Sequence, residues 1–368
     1  MANDVLSDAK NDGLGNAKKA KNDEFYTQYQ DIEKEMNAYL EYNPNVFRGK
    51  TLLLPCDDPE WSNFTKYFAQ RFEALGLKKL ISTSYAPNSK PKDIDYQPTL
   101  FEIESPDFDE EKTQTNGKIF TLTKDRTGDG VINVDDLKWS YLDGDGDFRS
   151  DEINALRDEA DYILTNPPFS LFREFLAWIM EAEKGFVIVG NQNAITYKEV
   201  FPLLKENKMW LGKGFHRSMA HFYTPYVTHS KWIEQEGDHI VRVAGVQWFT
   251  NLEHGRRHEP LALMTMADNI KFSKHKEIMG VGYKTYDNYD AIEVPFSDAI
   301  PSDYEGVMGV PITFLTKHNP DQFELLGMCG NGGMLVEHLI PNQAKYDRPY
   351  LGGKRLYVRL FIRLRAHN

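Results

Sequence analysis

Positive charge is scarce in this chain, and so are cysteine and long apolar runs. Only Cys56 and Cys329 occur among 368 residues. Two cysteines are too few for a disulfide framework or a cysteine-built zinc site, and fit a reducing cytoplasm. No apolar run approaches the roughly 20 residues that span a bilayer, and residues 1–22 contain no apolar signal core, so a soluble intracellular protein is expected. The net charge of −12 has the wrong sign for a protein that grips a polyanion through lysine and arginine. Its distribution weakens that objection. Residues 93–161 hold 20 acidic against 7 basic side chains, a local −13 that leaves the remainder at about +1. Nucleic-acid binding is therefore not excluded.

What is present is an alternation of strand and helix signals. Residues 1–22 are polar and rich in Gly, Asn and Lys, and read as a mobile arm; Lys18, Lys19 and Lys21 could touch phosphate or simply be solvated. Thr51-Leu52-Leu53-Leu54-Pro55 reads as a buried strand that ends in the loop Cys56 to Phe64, a helix with Tyr67, Phe68, Phe72 and Leu75 apolar follows and is closed by Gly76, and Lys79 to Thr83 reads as the next strand. Ser150 caps a short helix with Asp151 and Glu152 in its first turn. Tyr162-Ile163-Leu164 and Phe186 to Gly190 are further strands, and Tyr197 to Asn207 reads as helical. This rhythm predicts a doubly wound α/β sheet. Beyond about Gly255 the runs shorten and turns multiply, which predicts a separate α+β or mostly β module. At 41% hydrophobic, the chain can bury one large core and a second smaller one.

The chemistry is spelled at Asn166-Pro167-Pro168-Phe169. Two prolines fix φ and remove two backbone donors, leaving a stiff, acceptor-rich loop. The Asn166 side-chain carbonyl and the Pro167 carbonyl can accept both hydrogens of one planar NH2 group, and Phe169 offers a flat apolar face beside them. An exocyclic amine is a poor nucleophile because its lone pair is delocalised. Two fixed acceptors favour the sp3-like nitrogen that develops during methyl transfer. Asn-Pro-Pro is also an ordinary turn former, but here it follows a strand and precedes a helix, with Ser170 as the expected cap and Leu171, Phe175, Trp178 and Ile179 at helical spacing. In open α/β sheets, ligands bind at the carboxyl ends of strands.

The segments Asp23 to Gln28, Leu54 to Pro59, Gly146 to Ser150, Thr165 to Glu174 and Trp248 to Leu252 resemble the adenine-specific DNA methyltransferases typified by the EcoRI modification methylase, and the likeness runs over nearly the whole chain. The resemblance implies a Rossmann-like, S-adenosylmethionine-dependent catalytic domain over residues 23–254, with an acidic insertion at about 93–150, and a target-recognition region over 255–368. It implies transfer of the cofactor's methyl to N6 of an adenine flipped out of double-stranded DNA, in a restriction-modification system or as an orphan or phage enzyme; a cognate endonuclease need not bind. Asn166, Pro167, Pro168 and Phe169 would form the catalytic loop. Phe25, Tyr26, Thr27, Gln28, Pro55, Asp57, Asp58, Asp147 and Phe148 would lie at the cofactor, with Asp147 toward its adenine. Asp57 also reads as a plain surface-turn aspartate. Related enzymes often carry a D-P-F-x-G-x-G-like loop; here Asp58-Pro59-Glu60-Trp61-Ser62-Asn63-Phe64 lacks both glycines, so the backbone must approach the cofactor differently.

Other candidates carry two readings. Phe222, Trp248 and Phe249 are stacking partners for a flipped base or core aromatics. Arg256 and Arg257, entering the second module, are basic candidates for DNA. From Lys354 to Arg365 one strand face is apolar and the other carries Arg355, Arg359, Arg363 and Arg365, either a DNA-facing strip or an edge strand guarded by charge. Asp125 to Asp136 approximates an EF-hand loop, but aspartate at position 12 and a strand before it favour a hairpin turn, and no metal is expected. Two rival functions remain: an N-P-P-[FY] methyltransferase acting on RNA or protein glutamine, and a non-catalytic DNA-binding or calcium-binding relative.

Overall fold

The structure, a computed structural model, describes residues 26–57, 62–86, 108–215, 219–223, 240–329 and 348–365. Phe25, Asp58 and the N-terminal arm lie outside the described residues. The chain divides into two compact units, residues 1–192 with 214–252, and residues 193–213 with 253–368. The first contains β1 (Tyr26–Thr27), α1 (Tyr29–Tyr42), β2 (Thr51–Leu54), α2 (Asn63–Gln70), β3 (Lys79–Ser84), β4 (Lys118–Leu122), β5 (Lys138–Tyr141), α3 (Asp151–Glu159), β6 (Tyr162–Thr165), α4 (Phe172–Glu181), β7 (Gly185–Asn191), β8 (Met219–Tyr223), β9 (Ile240–Ala244) and β10 (Val246–Thr250).

Seven of these strands lie side by side in the order β5-β4-β3-β2-β6-β7-β10. β3, β2, β6 and β7 are parallel, while at the flanks β4 pairs antiparallel with β3, β5 with β4, and β10 with β7. Such a mixed sheet in an α/β unit is compatible with a methyltransferase fold. All four residues of β2 are buried, as a strand covered on both faces demands, and this explains its unbroken apolar spelling. Order reverses at β2, which has β3 on one side and β6 on the other. In open α/β sheets the carboxyl ends of the strands at such a reversal, here β2 and β6, are where ligands bind. A second sheet, β1-β8-β9, holds Thr27 opposite Phe222.

α2 and α4 bury one face each. Phe64, Tyr67 and Phe68 of α2 and Phe172, Phe175, Leu176 and Ile179 of α4 are at most 4% exposed, so the helical spacing read from sequence is a core-facing stripe. Gly76, with φ of +64°, ends the helical segment that follows α2, as a left-handed cap requires. Two local expectations are corrected. Ser170 is not the cap of α4: Phe169–Leu171 form a 3-10 turn and α4 starts at Phe172 with Leu171 in the cap position, because the prolines hold the chain extended to Pro168. The stretch Tyr197 to Asn207 is helical only at Phe201–Lys205.

The second unit is built from short elements, including the helices Phe201–Lys205 and Met266–Phe272 and a four-stranded sheet. With β11 (Ile292–Glu293), β12 (Met308–Pro311), β13 (Phe323–Met328) and β14 (Arg359–Leu364), the order is β11-β12-β14-β13. The C-terminal run is therefore not one edge strand. Lys354–Arg355 pairs with Tyr350–Leu351 across a turn at Gly352-Gly353, whereas β14 is interior, antiparallel to β12 and β13. Alternation of side chains correctly marked extended backbone but could not identify the partners. No helix among the described residues is long and apolar enough to cross a membrane.

Candidate active site

β2 and β6 are parallel neighbours, so the loops that leave them emerge on one edge. The Thr165 hydroxyl, last in β6, donates to the Pro55 carbonyl just past β2 at 2.6 Å, and both groups are buried. Cys56 then adopts φ of +69°, a left-handed conformation unusual for a residue with a side chain, which turns the chain sharply toward Asp57. The Asp57 amide donates to the Thr83 carbonyl at 2.9 Å, and the Ser82 hydroxyl donates to the Asp57 carbonyl, so the turn is fastened to β3 as well.

Asp57 is 4% exposed, so it is no surface-turn aspartate. Its carboxylate accepts the Ser62 hydroxyl at 2.6 Å, while the same Ser62 oxygen accepts the Phe64 amide at 3.1 Å and caps α2. The Asn63 side chain donates to the Thr27 carbonyl at 2.8 Å and brings the Tyr26-Thr27-Gln28 segment to the same helix start. Ser62 and Asn63 were missed in sequence. Their signal was a serine one position before an apolar-periodic helix.

Asp147 reaches this edge from far along the chain. The Ala86 amide donates to the Asp145 carbonyl at 2.8 Å, and Gly146, at φ +84°, lies so close to the end of β3 that a Cβ there would sit 2.3 Å from the Ser84 carbonyl oxygen. Only glycine allows that approach. Arg149 donates to both Asp147 oxygens, at 2.9 and 2.6 Å, and this holds the Asp147 carboxyl below its usual range. Burial, with Asp145 and Asp147 alongside, pushes the Tyr85 hydroxyl up to about 12. Phe148 is a core residue, edge-on to Phe175 and Trp178.

Asn166 and Pro168 are half-buried and Pro167 is buried. Pro168 accepts the Leu171 amide at 2.9 Å, which closes the turn after the loop. Phe172 then lies against Gly190 of β7, where a Cβ would meet its ring at 2.4 Å. Phe169 is 6% exposed and meets Phe222 edge-on at 6.3 Å between centroids. The loop is thus clamped at both ends.

Of the other aromatic candidates, Trp248 stacks on Phe215 at 5.2 Å, Phe249 packs on Phe172 at 5.1 Å, and Phe222, Trp248 and Phe249 are all at most 1% exposed. They line the core beneath the loop. In the second unit, the Arg257 guanidinium lies 3.8 Å over the Trp210 ring and is held by Glu253 and Asn207, while Arg256 donates to the Lys213 carbonyl. Arg359, half-buried, makes a two-pronged pair with the buried Glu293 at 2.7 to 3.2 Å, and Tyr286 donates to the same carboxylate. Its charge is used inside the fold. The Asp125–Asp136 loop joins antiparallel β4 and β5, and its carboxylates turn onto backbone amides: Gly128 and Gly130 donate to Asp125, and Thr127, Arg126 and Asn133 to Asp136.

The edge suits S-adenosylmethionine by its donor set. Asp57 supplies a buried carboxylate for an ammonium, and the buried hydroxyls of Thr27 and Thr83 have no hydrogen-bond partner among the described residues, as if reserved for a polar ligand. The family model described as "Adenine-specific methyltransferase EcoRI" matches residues 13–365, and the chain belongs to that family. It is 43% identical over 327 residues to the type II methyltransferase M.EcoRI of Escherichia coli, covering 88% of this chain and 90% of that one. It is 34% identical over 364 residues to the type II methyltransferase M.MpnI of Mycoplasma pneumoniae, covering 95% and 98%. No solved structure matches.

Proposed function

We propose that this protein is a site-specific DNA adenine N6-methyltransferase, built on a Rossmann-like cofactor sheet, that uses S-adenosylmethionine and double-stranded DNA. The observation that supports this reading is the Thr165–Pro55 hydrogen bond: it joins the strand end before Asn166 to the strand end before Asp57, so acceptor and cofactor loops share one rigid edge. When bound, S-adenosylmethionine supplies an electrophilic methyl group on a sulfonium.

The chain's own residues do the rest. Asp57, Thr27 and Thr83 hold the polar groups of the cofactor, and Asp147 lies at the neighbouring strand end. Asn166 Oδ1 and the Pro167 carbonyl accept the two N6 hydrogens of the extruded adenine and turn its lone pair toward the methyl group. Transfer exchanges the methyl group's carbon–sulfur bond for a carbon–nitrogen bond, releases the cofactor as its neutral thioether, and leaves a cationic N6 that gives up one hydrogen as a proton to water. Phe169 backs the base. Fixing both reactants in line supplies much of the rate. Arg256 is kept as a DNA contact; Arg257, given over to Glu253 and Asn207, and Arg359, given over to Glu293, are not.

The test is a labelled-cofactor assay with duplex DNA, RNA and protein acceptors, followed by nucleoside analysis. Label recovered as N6-methyladenine from DNA supports the proposal. Equal labelling of RNA or of glutamine in protein counts against it.

A further inference from the structure

The second unit carries an exposed patch that no part of the catalytic account uses. Its helix Met266–Phe272 is followed by a turn that folds back on it: the Gly280 amide donates to the Ile270 carbonyl at 2.8 Å, and Gly282 packs near the Ile270 side chain. Ile278 is buried beneath this turn at 1% exposure. Three of the seven exposed large apolar side chains among the described residues fall here. Phe272, Met279 and Val281 are 61%, 48% and 57% exposed, on the helix end and the turn that returns to it. Solvent does not favour three large apolar side chains together, and such clusters mark interaction sites.

Charge identifies the partner. Residues 271–284 contain four lysines and one glutamate, a net +3 in a chain whose total is −12. Lys274 pairs with Asp298 at 2.7 Å, and His275 bonds the same carboxylate at 2.8 Å while stacking on Phe296. Lys271, Lys276 and Lys284 are exposed and form no ion pair among the described residues; Lys271 lies over the Phe272 ring at 4.8 Å. Glu277 and Asp268 are the nearby exposed acids in sequence. An apolar ridge fringed by such lysines suits a surface with anionic edges and flat apolar faces, which is what duplex DNA presents once a base step opens.

We propose that the ridge Phe272-Met279-Val281 and its lysines Lys271, Lys276 and Lys284 form a DNA-docking surface, the lysines meeting phosphates and the apolar tips resting on the groove. The assignment rests on the DNA-methyltransferase reading. It is tested with the full-length protein, a fluorescent duplex and a salt series, comparing wild type with Lys271→Ala/Lys276→Ala/Lys284→Ala and with Phe272→Ala/Met279→Ala/Val281→Ala. The lysine variant is expected to weaken duplex binding at least about tenfold, and to flatten the slope of log affinity against log salt by nearly one unit for each phosphate that is no longer neutralised. The apolar variant is expected to weaken binding without changing that slope. Both keep wild-type cofactor affinity and melting temperature, because every changed side chain is exposed. Wild-type affinity and slope in both variants overturn the assignment, as does a change of oligomeric state with DNA affinity intact, which would mark the ridge as a self-association surface. A wild-type protein that binds no duplex overturns the underlying reading, a failure distinguishable from the first.

Discussion

The Thr165 hydroxyl donates to the Pro55 carbonyl at 2.6 Å and so fastens the loop after β6 to the loop after β2. Thr165→Val keeps the shape and removes the donor, leaving a buried carbonyl unsatisfied. A loss of about 1 to 3 kcal/mol in stability is expected from denaturant unfolding. Cofactor affinity and kcat should fall together, since one bond positions both loops. A change confined to stability would show that the two loops are held by other means.

Asn166→Ala is expected to bind S-adenosylmethionine as wild type does and to lose methyl transfer by at least roughly two orders of magnitude, the scale for removing a transition-state hydrogen-bonding group. Calorimetry and single-turnover kinetics separate the two effects. Turnover near the wild-type rate would remove Asn166 from the mechanism.

Ser62→Ala loses both the cap of α2 and the partner of Asp57. About 1 kcal/mol of stability should go with the cap. The KM for the cofactor should rise while kcat at saturation stays close to wild type, because the substitution removes one contact that orients the Asp57 carboxylate without touching the acceptor loop. Initial rates over a cofactor series check this.

Arg359→Ala strands the Glu293 carboxylate, which is 7% exposed. Breaking a buried pair from one side costs about 3 to 5 kcal/mol, whereas the salt dependence of DNA binding measured on the remaining folded protein should not move. A shifted salt slope would return Arg359 to the DNA surface.

Burial pushes the His318 imidazole down to about 4 from an ordinary value near 6.5. As pH falls through 6.5 the unfolded chain takes up this proton first, so the contribution to stability is intact above that value and shrinks until about pH 4. His318→Gln, which keeps a donor toward the Phe323 carbonyl, should flatten the stability-versus-pH curve in that window. Unfolding midpoints at pH 7, 6 and 5 for both proteins decide it.

Local pattern made β2, β3, β6 and β7 legible, because each is a short apolar run bounded by turn residues and the intervening helices keep a 3.6-residue period. The N-P-P-F loop was legible from proline stereochemistry alone. Pairings made at long range were not. Nothing local tells that Gly146 returns to Ser84, that Asp57 faces Ser62 rather than solvent, or that Arg359 meets Glu293 at a separation of 66 residues. Pattern likewise could not sort aromatics: Trp248 and Phe249 sit in a matched motif, yet their rings pack inward. The Leu360–Ile362 stretch is buried throughout, so its alternation reflected a strand enclosed by two neighbours, not an amphipathic edge.

Gly117 and Gly146 close on each other at the Ser84 carbonyl, with Gly117 donating to the Gly144 carbonyl at 2.9 Å. From that contact β4 runs antiparallel along β3, with Lys118 opposite Ser84 and Leu122 opposite Leu80. The tip of the β4–β5 hairpin, around Asp129, thus lies toward the amino end of β3, away from the carboxyl strand ends that carry Asp57 and Asn166. The hairpin tip is therefore a port in the architecture, a position where a reporter peptide or a tether can be grafted while the reaction edge keeps its alignment.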